Sequence, residues 1–393
     1  MFLDAVLARN PRLAETAAAL HRDGRIPPDT YVMDLDAVEE NAAVLAARAD
    51  GLGLRLWFVV KQVGRNPELI RAVARHIPRF AAIDPPEARA LHAAGARAGN
   101  LGHLVQIPRR ALPEMLAWRP EAVTVFDTAN ARAVSAEARR QGIVQDVLVR
   151  IEGAPGAAFP GQEGGVPPGH LDAFAEEVER LPGVRIAGVT AFPCLTCDPD
   201  SGEAHPTATF DRVLAARDLL AGRGHGPLKL SAPGATCAAT LPLLARRGAT
   251  HGEPGHALTG TTPLHSADPS QPERPAYVYV SEVAHILADG RPALFGGGFY
   301  PRGTVTAAYL PRSGERLPVQ DAPAENIDYY RLLERPRRPG TAQVGDTAVL
   351  AFRTQVFVTR SHVAVVSGLS TDGRPVLTGL YDPFGRPVHG GRS

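Results

Sequence analysis

The chain has 393 residues, of which 44% are hydrophobic and 21% are charged, and its 42 lysines and arginines balance 41 aspartates and glutamates. This balance gives no general affinity for nucleic acid or an anionic membrane, so a small molecule is the favoured ligand. No apolar run approaches the roughly 20 residues of a membrane span, no signal-peptide core opens the chain, and three cysteines do not suggest a disulfide framework. We therefore predict a cytoplasmic protein.

The predicted elements begin with two short helices over residues 2–22, interrupted at Asn10-Pro11. A strand from Tyr31 to Leu35 then runs into a helix from Ala37 to about Ala49 and forms the first strand–helix unit of the predicted barrel. Further units recur, so that some eight strands alternate with helices. The span from Tyr31 to Thr262 approaches the roughly 250 residues typical of a (β/α)8 barrel. An open doubly wound sheet is the structural rival, but no G-x-G-x-x-G follows the first strand. We predict an α/β fold, a (β/α)8 TIM barrel.

A different pattern follows His265. A Pro-rich connector, SADPSQPERPA, leads into alternating strands without long helices, which is typical of an all-β domain. The predicted organisation is a helical segment over residues 1–27, a barrel over residues 28–265 and a C-terminal β domain over residues 270–393.

The central candidate residue is Lys61. It follows a continuous apolar run from Leu56 to Val60, and such a run is typical of a strand buried in a parallel sheet. It precedes a predicted helix start at Asn66-Pro67. The carboxyl ends of parallel strands carry the chemistry of α/β folds. Partial desolvation would lower the pKa of the amine from roughly 10.4 and favour attack on a carbonyl. Lys61 is a candidate Schiff-base lysine, or else a strand-end lysine that extends to water.

Two later loops suggest a phosphate-bearing cofactor. Pro233 to Thr236 follow a strand and are predicted to open a helix, which would form an anion site. One unit later come Glu253, Gly255 and Gly260, and barrel phosphate sites are commonly built after strands seven and eight. A phosphate site at these loops and an amine at a strand end match the requirements of pyridoxal phosphate. Glu253 would then hydrogen-bond to the pyridine nitrogen of the cofactor. The alternative is that the glycines are turns and Glu253 is a solvated acid.

The segments FVVKQVGRNPE, YVMDLDAVEENA, LVRIEGAPG, AGVTAFPC, LSAPGATC and HGEPGHALTGTTP together resemble the fold-type III pyridoxal-phosphate enzymes, the alanine racemase-like family, and in particular its YhfX-like group of amino-acid racemases. The resemblance implies that Lys61 forms the internal aldimine with the cofactor and that Glu253 is the nitrogen partner. It further implies cofactor contacts from Ser231, Gly234, Ala235, Thr236, Gly255 and His256.

The chain also departs from the family pattern. Alanine racemases have arginine in place of Glu253, whereas Glu253-Pro254-Gly255 resembles the EPGR motif of the decarboxylase branch, with His256 replacing its arginine. Related D-threonine aldolases carry a metal-binding H-x-C pair in the β domain. This chain has Arg353 and Gln355 there, so no metal site is predicted.

A racemase needs a base on each face of the substrate Cα. Lys61 serves one face, and the resemblance implies that Tyr300 of the partner subunit serves the other. Tyr300 is alternatively an ordinary strand-end tyrosine, and Cys194, Cys197 and His103 are rivals for the second base. Cys194 is alternatively a buried small hydrophobe, and His103, which is predicted within a strand, either stacks on the cofactor ring or belongs to the core. Arg150 is predicted to bind a substrate carboxylate, or else to pair with Glu152.

The sequence therefore predicts a homodimeric, pyridoxal-phosphate-dependent racemase acting on a small amino acid. The alternatives are a lyase with the same cofactor, either an aldolase or a decarboxylase, and a non-catalytic protein that binds pyridoxal phosphate.

Overall fold

The computed structural model describes residues 2–198, 201–323, 325–371 and 373–388. The strands are β1 (Thr30–Asp34), β2 (Arg55–Leu56), β3 (Arg79–Ala82), β4 (Arg97–Leu101), β5 (Ala122–Val125), β6 (Gln145–Arg150), β7 (Val184–Thr190), β8 (Leu195–Cys197), β9 (Ala204–Pro206), β10 (Lys229–Ser231), β11 (His251–Gly252), β12 (Tyr277–Ile286), β13 (Pro292–Phe295), β14 (Ala307–Leu310), β15 (Glu315–Pro318), β16 (Tyr330–Leu332), β17 (Thr347–Leu350), β18 (His362–Ser367) and β19 (Val376–Tyr381).

The α-helices are α1 (Phe2–Arg9), α2 (Pro11–Arg22), α3 (Leu35–Asp50), α4 (Pro67–Ala74), α5 (Pro85–Ala93), α6 (Leu112–Ala117), α7 (Thr128–Arg140), α8 (Leu171–Glu179), α9 (Ala208–Gly222), α10 (Leu241–Arg246) and α11 (Pro263–Ala267). Short 3-10 helices span Pro168–His170, His256–Thr259 and Val356–Val358. None of the helices in the described part of the chain is both long enough and apolar enough to cross a membrane.

The chain divides into two compact units. The barrel unit comprises Ala42–Val59 and Val73–Gly255, and the sheet unit comprises Met1–Asn41, Val60–Ala72 and His256–Ser393.

The barrel unit is built on a parallel sheet of eight strands in the order β2-β11-β10-β7-β6-β5-β4-β3. A parallel bridge between Phe58 and Phe80 links the extension of β2 to β3 and nearly closes the ring. On its other side, the same extension donates from Trp57 N to Gly252 O over 3.0 Å. A buried cluster of apolar side chains belongs to these strands and their extensions: Trp57, Val59, Ala81, Ala122 and Leu148. The predicted TIM-like barrel is confirmed, and the open sheet is wrong.

One strand assignment is corrected. The prediction that the first barrel unit begins at Tyr31 is wrong, because β1 pairs antiparallel with β12 and parallel with β18 in the sheet unit. All five residues of β1 are buried. A strand covered on both faces reads alike in any sheet, so local hydrophobicity does not identify its neighbours. The first barrel strand is β2, and the limits proposed for the three segments stay a prediction.

The sheet unit contains a mostly antiparallel sheet in the order β15-β14-β17-β12-β1-β18-β19, with β13 paired to β12 and β16. The predicted C-terminal β domain is confirmed, although the short strands β15 and β16 were not predicted. Helices α1 and α2 carry apolar residues at helical spacing and share a core with the sheet. This core includes Leu3, Val6, Leu13, Ala17, Val32, Val278, Val280, Val349 and Ala364.

Candidate functional site

The carboxyl edge of the barrel carries a hydrogen-bonded carboxylate. Ser231 is the last residue of β10, and Glu253 immediately follows β11. Ser231 Oγ donates to Glu253 Oε1 over 2.9 Å, and the backbone N–H of Glu253 donates to Thr236 Oγ1 over 3.3 Å. The Glu253 side chain is only 4% exposed. Glu253 is therefore a buried acid in a fixed orientation, and not the solvated strand-end acid that the sequence left open.

His103 approaches the same carboxylate. Its Nε2 lies 3.8 Å from Glu253 Oε2, and both side chains are buried. The prediction that His103 lies within a strand is wrong, because β4 ends at Leu101 and Gly102 turns the chain with a φ of 84°. A Cβ at Gly102 would lie 2.8 Å from Thr124 O. The turn brings His103 to the barrel edge, where its ring meets Phe192 edge-on at 6.1 Å.

Arg150 is the last residue of β6 and is almost fully buried. Its guanidinium donates to three backbone carbonyls, those of His103, Gln162 and Gly164, over 2.9, 2.7 and 3.1 Å. Burial lowers the pKa of Arg150 to about 10, although the nearby Cys194 and Glu253 favour its charged form. These contacts, rather than a pair with Glu152, fix two loops at the barrel edge. The carboxylate-binding role stays a prediction.

Cys194 lies between β7 and β8 with its side chain fully buried. Its thiol donates to the Ala191 carbonyl over 3.3 Å. Burial raises the pKa of this thiol far above its ordinary value. Because the thiolate is the form that accepts a proton, this environment favours the reading of Cys194 as a buried small hydrophobe.

The loop Pro233–Thr236 has a constrained backbone. Gly234 has a φ of 125° and Ala235 a φ of 45°, a conformation that is uncommon for alanine and marks a constrained turn. A Cβ at Gly234 would lie 2.6 Å from Leu195 O. Within the described residues, the backbone amides of Gly234, Ala235 and Thr236 donate to no carbonyl. Consecutive amides of this kind form a nest for an anion.

The expected helix after this loop starts late. The prediction that Pro233–Thr236 opens a helix is wrong, because α10 begins only at Leu241. Thr240 Oγ1 accepts from Cys237 N and donates to Ala235 O, each over 2.9 Å, and thereby stabilises a turn over the intervening residues. Any anion at this loop would therefore meet backbone amides rather than the N-terminus of a helix.

In the sheet unit, Lys61 is partly exposed and begins the turn before α4. The predicted cap of that helix is confirmed, since Asn66 Oδ1 accepts from Glu68 N at 2.9 Å and Leu69 N at 3.2 Å. Gly64 has a φ of 62°, and a Cβ there would lie 3.0 Å from Val363 and 3.1 Å from Val356. Lys61 thus begins a turn whose later residues are held in place by the close packing at Gly64 and by the cap at Asn66.

His256 begins the 3-10 helix His256–Thr259, and its Nδ1 lies 3.3 Å from Thr261 Oγ1. Burial lowers the pKa of His256 well below its ordinary value, and the positive charges of Arg353, Lys61 and Arg302 lower it further. The imidazole is therefore neutral near pH 7. The positive charges of Arg353, Lys61 and Arg302 therefore act together on a neutral His256 within the sheet unit, which the sequence did not reveal.

Tyr300 lies in the loop after β13 and is 39% exposed. Its carbonyl accepts from Thr354 Oγ1 over 2.8 Å. The preceding glycine run is held by Asp328, whose Oδ2 accepts from Gly297 N at 2.7 Å and Phe299 N at 2.9 Å. Asp328 was not predicted from the sequence. The run of three glycines could have indicated such a residue, because its backbone amides need a hydrogen-bond acceptor.

Thr190 was also missed. It is in register with Arg150 on one side and Ser231 on the other, at the carboxyl end of β7. Its hydroxyl is buried and has no hydrogen-bond partner among the described residues. Buried polar groups usually find a partner, so such an atom at the edge of a barrel marks a place for a ligand or a water molecule. Nothing in the sequence distinguishes this threonine from others at strand ends.

Metal ligands are not grouped in this part of the molecule. Across residues 2–198, 201–323, 325–371 and 373–388, no three His, Cys, Asp or Glu side chains are arranged to hold a metal ion. The prediction of no metal site stays a prediction.

Solved structures share this architecture. They include D-threonine aldolase from Filomicrobium marinum, with a TM-score of 0.69 and 18% identity over 91% of this chain and 95% of that chain. D-threo-3-hydroxyaspartate dehydratase from Delftia sp. HT23 matches with a TM-score of 0.66 and 18% identity over 92% and 97%. Alanine racemase from Clostridium difficile 630 matches with a TM-score of 0.61 and 15% identity over 90% and 98%. At these identities the likeness establishes the fold alone.

Sequence comparison establishes the family. Residues 33–263 match the model of the alanine racemase N-terminal domain, and residues 278–376 match that of the YhfX-like C-terminal domain. The chain is also 38% identical over 389 residues to "Uncharacterized protein YhfX" of Escherichia coli (strain K12), covering 99% of this chain and 100% of that protein. The chain therefore belongs to the alanine racemase-like family and combines its N-terminal domain with a YhfX-like C-terminal domain.

Proposed function

We propose that the protein is a pyridoxal-phosphate-dependent racemase that interconverts the L- and D-forms of a small amino acid. The observation that carries this proposal is the buried Glu253 carboxylate, which Ser231 and the backbone hold at the carboxyl edge of the barrel. A carboxylate in this setting keeps a pyridine nitrogen protonated through a charge-assisted hydrogen bond. A protonated ring is the electron sink that a Cα carbanion requires.

The residues present fit such a cofactor. The loop at Gly234, Ala235 and Thr236 offers amides suited to a phosphate, with a constrained backbone at Gly234 and Ala235. The buried Thr190 hydroxyl, in register with Ser231, offers a further polar atom to a ligand at the barrel edge. When bound, pyridoxal phosphate would supply the sink for the electron pair released at the substrate Cα.

Each site residue has a proposed role. Lys61 Nζ would be the amine that holds pyridoxal phosphate, and it would move the substrate Cα proton on one face. Tyr300 of the partner subunit moves a proton at the opposite face, because one group does not reach both. His256 and Gly255 join Gly234, Ala235 and Thr236 at the phosphate. His103 and Arg150 keep their proposed roles at the ring and at the substrate carboxylate.

The dimer is part of this proposal. Tyr300 is 39% exposed, and Asp328 fixes the glycine run before it, so its hydroxyl is presented on an ordered loop. An exposed tyrosine on a fixed loop suits the site of a second subunit in a homodimer. The same scaffold would serve a lyase, and the two reactions differ in whether carbon is lost.

The test is α-hydrogen exchange of a panel of L-amino acids in heavy water, with chiral chromatography and carbonyl detection on the same samples. We expect deuterium at Cα together with inversion, and loss of both in Lys61→Ala but not in Lys229→Ala, which changes the other lysine of the chain. Release of an aldehyde or of carbon dioxide instead would show a lyase. Absence of exchange on every amino acid would leave only cofactor binding.

A further inference from the structure

Two arginines of the sheet unit stand opposite each other on neighbouring segments. Pro301 and Thr354 form an antiparallel bridge, and Arg302 N donates to Arg353 O over 2.7 Å. Arg302 and Arg353 are therefore the next residue pair along this bridge. Directly opposed residues of an antiparallel pair project their side chains from the same face, with Cβ atoms roughly 5 Å apart.

The alternation of burial identifies that face. Phe299, Phe352 and Thr354 are buried, and the rings of Phe299 and Phe352 stack with centroids 5.7 Å apart. Arg353, which lies between Phe352 and Thr354 in the sequence, is only partly buried, and Arg302 is exposed. Because side chains alternate between the faces of an extended segment, Arg353 projects from the face opposite the buried Phe352 and Thr354. Arg302 is its partner across the bridge and therefore projects from the same face.

One further cationic side chain, Lys61, acts together with the two arginines. Arg353, Lys61 and Arg302 all act electrostatically on His256, which also belongs to the sheet unit. Like charges placed directly across an antiparallel pair are destabilising. An anion that accepts from both guanidinium groups converts this repulsion into charge-assisted hydrogen bonds.

We propose that Arg302 and Arg353 form a two-arginine site for a carboxylate or phosphate group. The identity of the ligand rests on the proposed function, under which the anion is either the phosphate of the cofactor or an acidic group of the amino-acid substrate. The existence of the site does not rest on the proposed function, because it is inferred from the bridge between the two segments and from the positive charges of the two arginines.

The test is isothermal titration of the full-length, cofactor-free protein with inorganic phosphate and with succinate. We expect Arg302→Gln and Arg353→Gln each to weaken binding of at least one anion roughly tenfold, as loss of a charge-assisted bond implies. Arg353→Lys should keep part of the affinity, because it keeps the charge without the bidentate fork. The matched control is Arg337→Gln, which neutralises an exposed arginine of the same unit.

Two further titrations distinguish the sources of the anion. If the pair holds the cofactor phosphate, both glutamine variants lose affinity for pyridoxal phosphate but not for pyridoxal. If it holds a substrate acid, affinity for pyridoxal phosphate is unchanged, and the variants bind succinate more weakly. Either result supports the site.

Unchanged binding of phosphate, succinate and pyridoxal phosphate in folded Arg302→Gln, relative to Arg337→Gln, would overturn the inference. Arg302 is exposed, so this variant tests the site even where Arg353→Gln fails to fold. If the wild-type protein binds these anions through the pair but carries no cofactor on Lys61, then the proposed function fails and the anion site stands.

Discussion

At the scale of single residues, Glu253 is the most informative side chain. Glu253→Gln keeps an oxygen that can accept from Ser231 Oγ, but it removes the negative charge that would keep a pyridine nitrogen protonated. We expect the fold to survive and α-hydrogen exchange to fall roughly 10- to 100-fold, the range set by loss of a hydrogen bond to a charged group. The measurement is the initial rate of deuterium incorporation at saturating substrate.

Glu114→Gln is the control, because Glu114 lies at the surface beside Arg89. It should exchange at the wild-type rate. A wild-type rate in folded Glu253→Gln would remove Glu253 from the chemistry and reduce it to a structural acid.

The sequence predicted those residues whose setting is local. The cap at Asn66 follows from Asn-Pro at a helix start, and the place of Glu253 at a strand end follows from the regular recurrence of strand–helix units. The hydrogen-bond partners of Arg150 and Asp328 were not predictable. They are carbonyls and amides from distant loops, and no spacing rule connects them.

At the scale of the elements, the starts of four barrel strands converge on Glu121. This residue precedes β5, and its carboxylate lies 3.7, 3.2 and 3.3 Å from the first residues of β2, β3 and β11, which are Arg55, Arg79 and His251. Burial disfavours the ionised form, but bonds from His251 and Trp57 and the charge of Arg79 outweigh it and lower the pKa of Glu121 to about 2. The cluster ties the strands together at the end away from Glu253.

We expect Glu121→Gln to lower the free energy of unfolding near pH 7 by about 3 kcal/mol, the size implied by this pKa difference. The folded-state pKa is below the unfolded one, so this stabilisation is complete above roughly pH 4.5 and is lost as the pH falls toward 2. The difference between wild type and Glu121→Gln should therefore shrink over that range. Urea unfolding curves at pH 7, 4.5 and 3 measure it.

Glu177→Gln provides the control, since Glu177 forms an exposed pair with Arg132 on the helices of the same unit. Surface pairs contribute little to stability, so this variant should unfold like the wild type at every pH. Equal stability of Glu121→Gln and wild type near pH 7 would show that the cluster does not hold the strand ends together.

Helices and strands were predicted well where the hydrophobic pattern and the length of the segment indicate the same element. They were predicted poorly where the position of a strand depends on which other strand it pairs with. The barrel followed from the number of strand–helix units, because that number depends only on local periodicity. The position of β1 in the sheet unit could not be predicted from local periodicity, because its pairing with β12 and β18 joins segments that are far apart in the chain. The strands β15 and β16 are short and contain the charged residues Glu315, Arg316 and Arg331, so no apolar run marks them in the sequence.

At the scale of the whole molecule, the proposed homodimer makes a testable demand. If Tyr300 serves the partner's site, Lys61→Ala and Tyr300→Phe are each defective alone, but a mixed dimer has one intact site. With random mixing, co-expression of the two variants should restore about a quarter of the wild-type exchange rate.

Light scattering on the same samples gives the oligomeric state, and mass spectrometry gives the ratio of the two chains. No recovery in a sample shown to contain mixed dimers would contradict the assignment of Tyr300 to the partner's site.

The central claim is that Lys61 carries pyridoxal phosphate, and the sequence makes its test unusually direct. The chain has two lysines, Lys61 and Lys229, and Lys229 is paired with Asp146 at 3.3 Å. The measurement is the visible spectrum of the purified protein before and after borohydride, followed by peptide mass mapping. We predict an absorbance band that reduction bleaches and a pyridoxyl phosphate fixed on Lys61 alone. A colourless protein that takes up no added cofactor, or a label confined to Lys229, would contradict the claim.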